Sequence, residues 1–209
     1  MTLQRPPERG RPTEPFVPRH DLSPTAVRGV LLSLALVLLA ASLDSTAVST
    51  ALPRIVTDLQ SSDLYTWVFT VYLLAMTASM PVFGSLSDRI GRRPILFLGL
   101  VAFVVGSILC GLANDMWQLV LFRAIQGLGA GAITPVTLAI IGDLFPPAER
   151  ARIQALFGSL FVLAFLIGPT LGGVFADSIG WRWVFYINLP VSAVAMFASW
   201  RLMPPLRST

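Results

Sequence analysis

The chain has 209 residues, of which 55% are hydrophobic and only 12% charged, and its mean hydropathy is +0.73. That balance excludes a soluble globular fold. The formal net charge of +4 resides in a terminal tail and short connectors, where a cationic excess sets membrane orientation, so it argues against nucleic-acid binding.

Residues 1 to about 25 carry Pro6, Pro7, Pro12, Pro15, Pro18 and Pro24 amid mixed charge, the composition of a disordered cytoplasmic tail. A transmembrane domain is predicted over 26–203, and 204–209 form a short cytoplasmic end. Six apolar blocks lie at roughly 27–51, 64–86, 94–113, 117–141, 151–175 and 183–203, each long enough to cross a hydrocarbon core of ~30 Å. The first is too long for a signal-peptide core and has no small-residue cleavage site before Asp44, so it is expected to be retained.

Asp44 is the one carboxylate within the first span. An intramembrane charge is expensive and marks a functional position by default, the alternative being a wetted carboxylate that caps local backbone. Between spans two and three the chain reads G-x-L-x-D-R-x-G-R-R, with Gly84, Asp88, Arg89, Gly91, Arg92 and Arg93. The glycines permit a tight reversal, and the acid among three guanidiniums can form charge-assisted bonds.

The fourth span holds Arg123 and Gln126, followed by Gly127 and Gly131 at the spacing that lets a neighbouring helix approach closely. Asp44 lies ~10 Å and Arg123 ~9 Å from the outer ends of their spans at 1.5 Å per residue, so the two can pair. Asp143 and Glu149 flank Pro146 and Pro147 and read as a solvated turn, contact with the arginine-rich loop being the alternative. In the fifth span Pro169 kinks the helix, while Gly168, Gly172 and Gly173 provide small residues for close packing. The sixth opens with Trp181, Arg182, Trp183 and Asn188, an aromatic belt with one candidate interhelical hydrogen bond.

All fifteen cations are arginines. Arg5, Arg9, Arg11, Arg19, Arg28, Arg89, Arg92, Arg93, Arg150, Arg152, Arg201 and Arg207 fall on the side of the termini, against Arg54 and Arg182 opposite, which predicts cytoplasmic termini. Trp67, Trp117, Trp181 and Trp183 are expected at the outer interface. Arginine-only cation usage with abundant Ala, Gly and Pro fits a high-GC bacterial genome, hence a bacterial inner membrane. His20, the one histidine, lies in the tail, and Cys110, the one cysteine, lies in an apolar block. Neither a nucleophile-and-base pair nor a metal cluster can be assembled from them, so an enzyme is not expected.

The loop between spans two and three resembles the cytoplasmic signature of the major facilitator superfamily, with every signature position filled. Arg123, Gln126, Gly127 and Gly131 match its fourth-helix motif, associated there with proton transfer. Gly168, Pro169, Gly172 and Gly173 resemble its antiporter motif, with Ala164 where glycine is common. With the strings Leu43 to Pro53 and Trp181 to Pro190, the likeness is to the multidrug-exporter branch of fourteen helices, and it runs from about Ala26 to Met203.

The resemblance implies an all-α integral membrane protein of six transmembrane helices arranged as two inverted three-helix repeats. It implies that Gly84, Asp88, Arg89, Gly91, Arg92 and Arg93 gate, and that helices one and four face a central cavity. There Asp44 and Arg123 would form a protonation-dependent pair, with Gln126 beside it. Proton-coupled export of hydrophobic or cationic small molecules by alternating access is the expected function, with the proton as coupling ion and no other cofactor; transport of another solute is the alternative. The expected partners are the bilayer, the transported molecule, and a second half supplied by a homodimer or a separate chain, unless the chain is a truncated, non-transporting fragment.

Overall fold

The computed structural model describes residues 23–202. The predicted tail with His20, most of its arginines, and the end with Arg207 lie outside the described residues.

Among the described residues there are seven helices: α1 (Pro24–Leu59), α2 (Tyr65–Ile90), α3 (Arg92–Leu112), α4 (Met116–Leu144), α5 (Pro147–Ser178), α6 (Arg182–Tyr186) and α7 (Asn188–Leu202). No strand occurs among the described residues. Six apolar helical segments are long enough to cross a membrane, the sixth being Arg182–Arg201. Local chemistry explains the boundaries. Ser23 caps α1 by accepting from the Ala26 amide at 3.3 Å, with Pro24 in the first turn. Asp115 caps α4 by accepting from Gln118 N–H at 2.8 Å. Gly91, at φ 116°, joins α2 to α3 in a backbone conformation that a side chain would oppose.

Two features depart from the sequence expectation. α1 continues through Pro53 to Leu59, well past the predicted end at 51, because one lost helical hydrogen bond does not terminate a helix held by packing on both sides. The sixth span is broken at Ile187. Pro190 has no N–H to donate to the Tyr186 carbonyl four residues back, so the ladder fails there and α7 starts again at Asn188.

In the bundle, α1 packs mainly on α5 and α7, and α4 mainly on α2 and α3. Exchanging the first three spans with the last three in order, one for four, two for five and three for six, maps each set of contacts onto the other. Two three-helix units therefore interdigitate, each lending its first helix to the other's second and third.

The glycines make these seams close. A Cβ on Gly127 would fall 2.5 Å from the Tyr72 carbonyl oxygen, and one on Gly131 would strike Ser79 and Met76, so both face α2. Gly168 meets Thr46, and Gly172 meets Ala47 and Thr50, so the pair on α5 packs against α1. Gly173 borders open space. At Gly84 the nearest neighbour would be Pro135 Cβ at 3.8 Å, ordinary contact between α2 and α4.

The apolar interior is divided in two. One cluster includes Val30, Leu34, Leu96, Phe103, Ile140 and Phe157 toward the end where the described residues begin and end. The other includes Val48, Leu52, Leu119, Trp181 and Phe185 toward the opposite end. Asp44, Ser107, Arg123, Gln126 and Asn188, each at most 1% exposed, occupy the stretch of their helices between the two clusters.

Candidate functional site

The buried layer is built around one carboxylate. Asp44 Oδ2 accepts from Arg123 Nη1 at 2.6 Å, and both side chains are fully buried. Asp44 Oδ1 accepts from Gln126 Nε2 at 2.8 Å and from Asn188 Nδ2 at 2.6 Å. Gln126 Oε1 accepts from the same Arg123 Nη1 at 2.8 Å, its amide also donates to Ser107 Oγ at 2.7 Å, and the Cys110 thiol points to it at 3.7 Å. Asp44, Arg123 and Gln126 are thus brought together, by α1 and α4. Asn188 stands where the sixth span breaks, and the restart places its amide against Asp44.

Burying two charges costs several kcal/mol per ion unless the geometry is good and the remaining polar groups are satisfied. Three donors on Asp44 meet that condition for the acid. Arg123 adds a bond from Nε to the Val68 carbonyl at 3.4 Å, and its guanidinium lies 3.9 Å from the centre of the Tyr72 ring and 6.0 Å from that of Phe185. Its Nη2 has no hydrogen-bond partner. The arginine is therefore held by one charge and several weaker contacts, an arrangement that can exchange partners.

Asp44 and Arg123 do not line an open cavity, contrary to the sequence expectation. A groove of about 350 Å³ runs among α1, α2, α4 and α5, bordered by Ser42, Ser45, Phe69, Met76, Thr134 and Phe165. Tyr72 also borders it and separates it from the guanidinium. The glycine motif explains this placement: with no side chain at Gly127, the α2 backbone at Tyr72 lies directly on α4, bringing the ring over an arginine one turn away.

A second charged cluster sits at the other end of α4. Arg92, 6% exposed, pairs with Asp88 in the preceding turn, donates from Nε to Asp143 Oδ2 at 3.1 Å and from Nη1 to Ser87 Oγ at 2.7 Å. Asp143 is 8% exposed, so it is not part of a solvated turn; it ties the arginine-rich loop to α4. Arg93 donates to the Trp200 carbonyl at 2.7 Å, joining the loop to α7. Arg89 is exposed. Arg150 donates to the carbonyls of Phe145 and Gly142 at 2.7 and 2.5 Å, closing the turn into α5.

Sequence reasoning misplaced Trp181. Trp67, Trp117 and Trp183 are 51%, 64% and 51% exposed, as an interfacial belt requires, but Trp181 is 1% exposed. Its indole N–H donates to Asp58 at 3.0 Å, and Arg182 stacks on the ring and donates to the Ala113 carbonyl at 3.0 Å. Asp58 lies on the part of α1 beyond the predicted span, so nothing in the sequence reading connected the two.

A family model described as Major Facilitator Superfamily matches residues 34–209. The chain belongs to the Major Facilitator Superfamily. Multidrug resistance protein 3 of Bacillus subtilis (strain 168) is 48% identical over 168 residues, covering 80% of this chain and 33% of the relative. Multidrug transporter protein MdtP of the same strain is 47% identical over 155 residues, 74% of this chain and 29% of the relative. Efflux pump FUS6 of Gibberella moniliformis is 38% identical, covering 81% and 30%. This facilitator chain thus spans about a third of the length of these curated relatives, of which MdtP is named a transporter and FUS6 an efflux pump. The human organic anion transporter MFSD10 (TETRAN) matches the fold with a TM-score of 0.69 at 23% identity, over 88% of this chain and 49% of that one.

Proposed function

We propose that this facilitator unit is one half of a proton-coupled exporter of hydrophobic or cationic small molecules, working by alternating access with a second half. The observation that carries the reading is the buried Asp44–Arg123 pair set directly behind the groove wall at Tyr72. A titratable group in a transmembrane interior, paired to one cation and separated from a ligand-sized groove by one ring, is the arrangement that coupling needs.

Both Asp44 oxygens accept bonds, but Oδ1 already holds two amide donors. A proton arriving at Asp44 therefore competes with Arg123 at Oδ2. Neutralising the acid removes the one carboxylate that pairs with Arg123 among the described residues, leaving it the Gln126 carbonyl, the Val68 carbonyl and the Tyr72 ring. The guanidinium then bears more heavily on the ring that borders the groove. Loss of the proton restores the pair. Tyr72 is thus a positioning residue between proton and cargo.

The Arg92–Asp88–Asp143 cluster gates, since a charge-assisted contact at the end of a bundle makes and breaks as a unit. The arginine distribution supports cytoplasmic termini in a bacterial inner membrane. A homodimer or a separate second half would complete the pathway. The deciding experiment is Asp44→Asn in the assembled transporter, reading ethidium efflux from energised vesicles. Proton-driven efflux is expected to fall by well over roughly tenfold, as for loss of a positioned acid–base group; a smaller loss overturns the reading.

A further inference from the structure

The groove does not end at Tyr72. A second cavity of about 210 Å³ shares Leu38, Thr134 and Phe161 with it and extends between α4 and α5 past Thr137, Phe157 and Gly158 to Gln154. The two form one trough, whose second arm runs toward the arginine-rich end of α4.

Thr137 sets this arm apart. It is 1% exposed, and its hydroxyl has no hydrogen-bond partner. Other buried hydroxyls bond back to their own helix, Ser33 to the Gly29 carbonyl at 2.8 Å, Ser42 to Leu38 at 2.8 Å, Thr46 to Ser42 at 3.1 Å and Ser87 to Gly84 at 2.7 Å; Ser192 and Ser199 on α7 share the lack of a partner, but neither borders this trough. An unsatisfied buried hydroxyl is costly until a partner arrives. Gln154 is an exposed polar side chain at the rim. Among the described residues no charged side chain borders either arm, so a carboxylate or phosphate on the ligand would be left without a counter-ion there, and a cation would find only aromatic faces. On the α5 wall, a Cβ at Gly158 would meet nothing within 4 Å, so the arm has room at that point.

We infer that this arm is a binding subsite for the hydrogen-bonding end of an uncharged lipophilic molecule, such as an amide, a ketone or an alcohol. The Thr137 hydroxyl is its polar partner, and the apolar body lies against Phe157, Phe161 and Leu138. The inference rests on the groove being the path of the exported molecule, but it concerns binding and is read by binding.

The test uses the purified 209-residue chain in nanodiscs with two photoreactive diazirine probes, an alkyl amide and the hydrocarbon of the same length. Crosslinked peptides are mapped by mass spectrometry. The amide probe is expected to label the 134–161 segment roughly tenfold more than the hydrocarbon, the ratio one net hydrogen bond supplies. Thr137→Val should lower it to the hydrocarbon's level, Thr137→Ser should keep it, and Gly158→Leu, which projects into the space open at its Cβ, should remove both. Helicity by circular dichroism verifies that each variant folds. Equal labelling by the two probes would make the arm an acyl-chain site and overturn the inference, as would amide labelling undiminished in Thr137→Val or absent from 134–161. Intact, Thr137-dependent labelling beside an unimpaired Asp44→Asn exporter would remove the proton-coupling reading and leave the subsite standing.

Discussion

The two arginine clusters on α4 and its neighbours solve the same electrostatic problem in opposite ways. Arg123 has one carboxylate, no exposure, and a surround of neutral amides and rings. Arg92 has two carboxylates, one of them on Asp88, whose side chain is 57% exposed. In the first cluster, removing a charge strands its partner in a dry interior. In the second, water reaches part of the network and replaces what is lost. The lesson is that equal-looking ion pairs differ in what their loss costs, and the number of alternative partners sets the difference.

The sharpest way to break this contrast is at Asp44 and Arg123. Asp44→Asn or Arg123→Leu alone is expected to destabilise the bundle by about 3–5 kcal/mol, because each leaves an uncompensated buried group. The double neutral variant Asp44→Asn with Arg123→Leu should recover most of that loss in thermal melts in detergent. If the double variant is as unstable as the singles added together, the pair is not a coupled unit.

Next in size are the seams. Gly127→Ala and Gly172→Ala push a methyl group into the backbone of a facing helix and should each cost about 1–3 kcal/mol. Gly173→Ala meets nothing and should stay within about 0.5 kcal/mol of the parent. A similar loss at all three positions would remove the distinction between packed and open glycines.

Arg92→Gln is expected to cost about 1–2 kcal/mol, less than the Arg123 change because Asp88 is solvated. A melt that falls as far as for Arg123→Leu would show the two clusters to be energetically alike. Among the polar contacts the smallest effect is at Asp58→Asn, which leaves the Trp181 indole an amide oxygen in place of a carboxylate; about 1 kcal/mol is expected in the same assay.

Much of this was legible from the sequence for one reason: charge in a hydrocarbon core is rare enough to be informative. Asp44 and Arg123 stand out among apolar residues, and counting 1.5 Å per residue placed them at matching depth. The six spans follow from length and hydropathy, and the glycine motifs from spacing. Asp143 was misread because a Pro-Pro turn beside Glu149 has the composition of a solvated one. Its partner Arg92 is 51 residues away in the chain, and no local periodicity reports such a contact. Trp181 was misread because an inward-turned aromatic at a span end has the same sequence context as an interfacial one. Tyr72 gave no signal at all, since a tyrosine among apolar residues on a helix is ordinary; only the close seam at Gly127 places it over a guanidinium. The break at Ile187 had a visible cause in Pro190, but what it does for Asn188 depends on where α1 lies.

The polar layer also divides α4 unequally. Arg123 is seven residues from Met116, and Gln126 is eighteen from Leu144, so the arms on either side measure roughly 10 Å and 27 Å. A tilt of about 10° pivoting on this layer carries the short end roughly 2 Å and the long end roughly 5 Å. The long end bears Asp143. A tilt is thus more than doubled by leverage where α4 meets Arg92, far enough to part a salt bridge, and it carries Ile140 and its apolar neighbours on the long arm along with it.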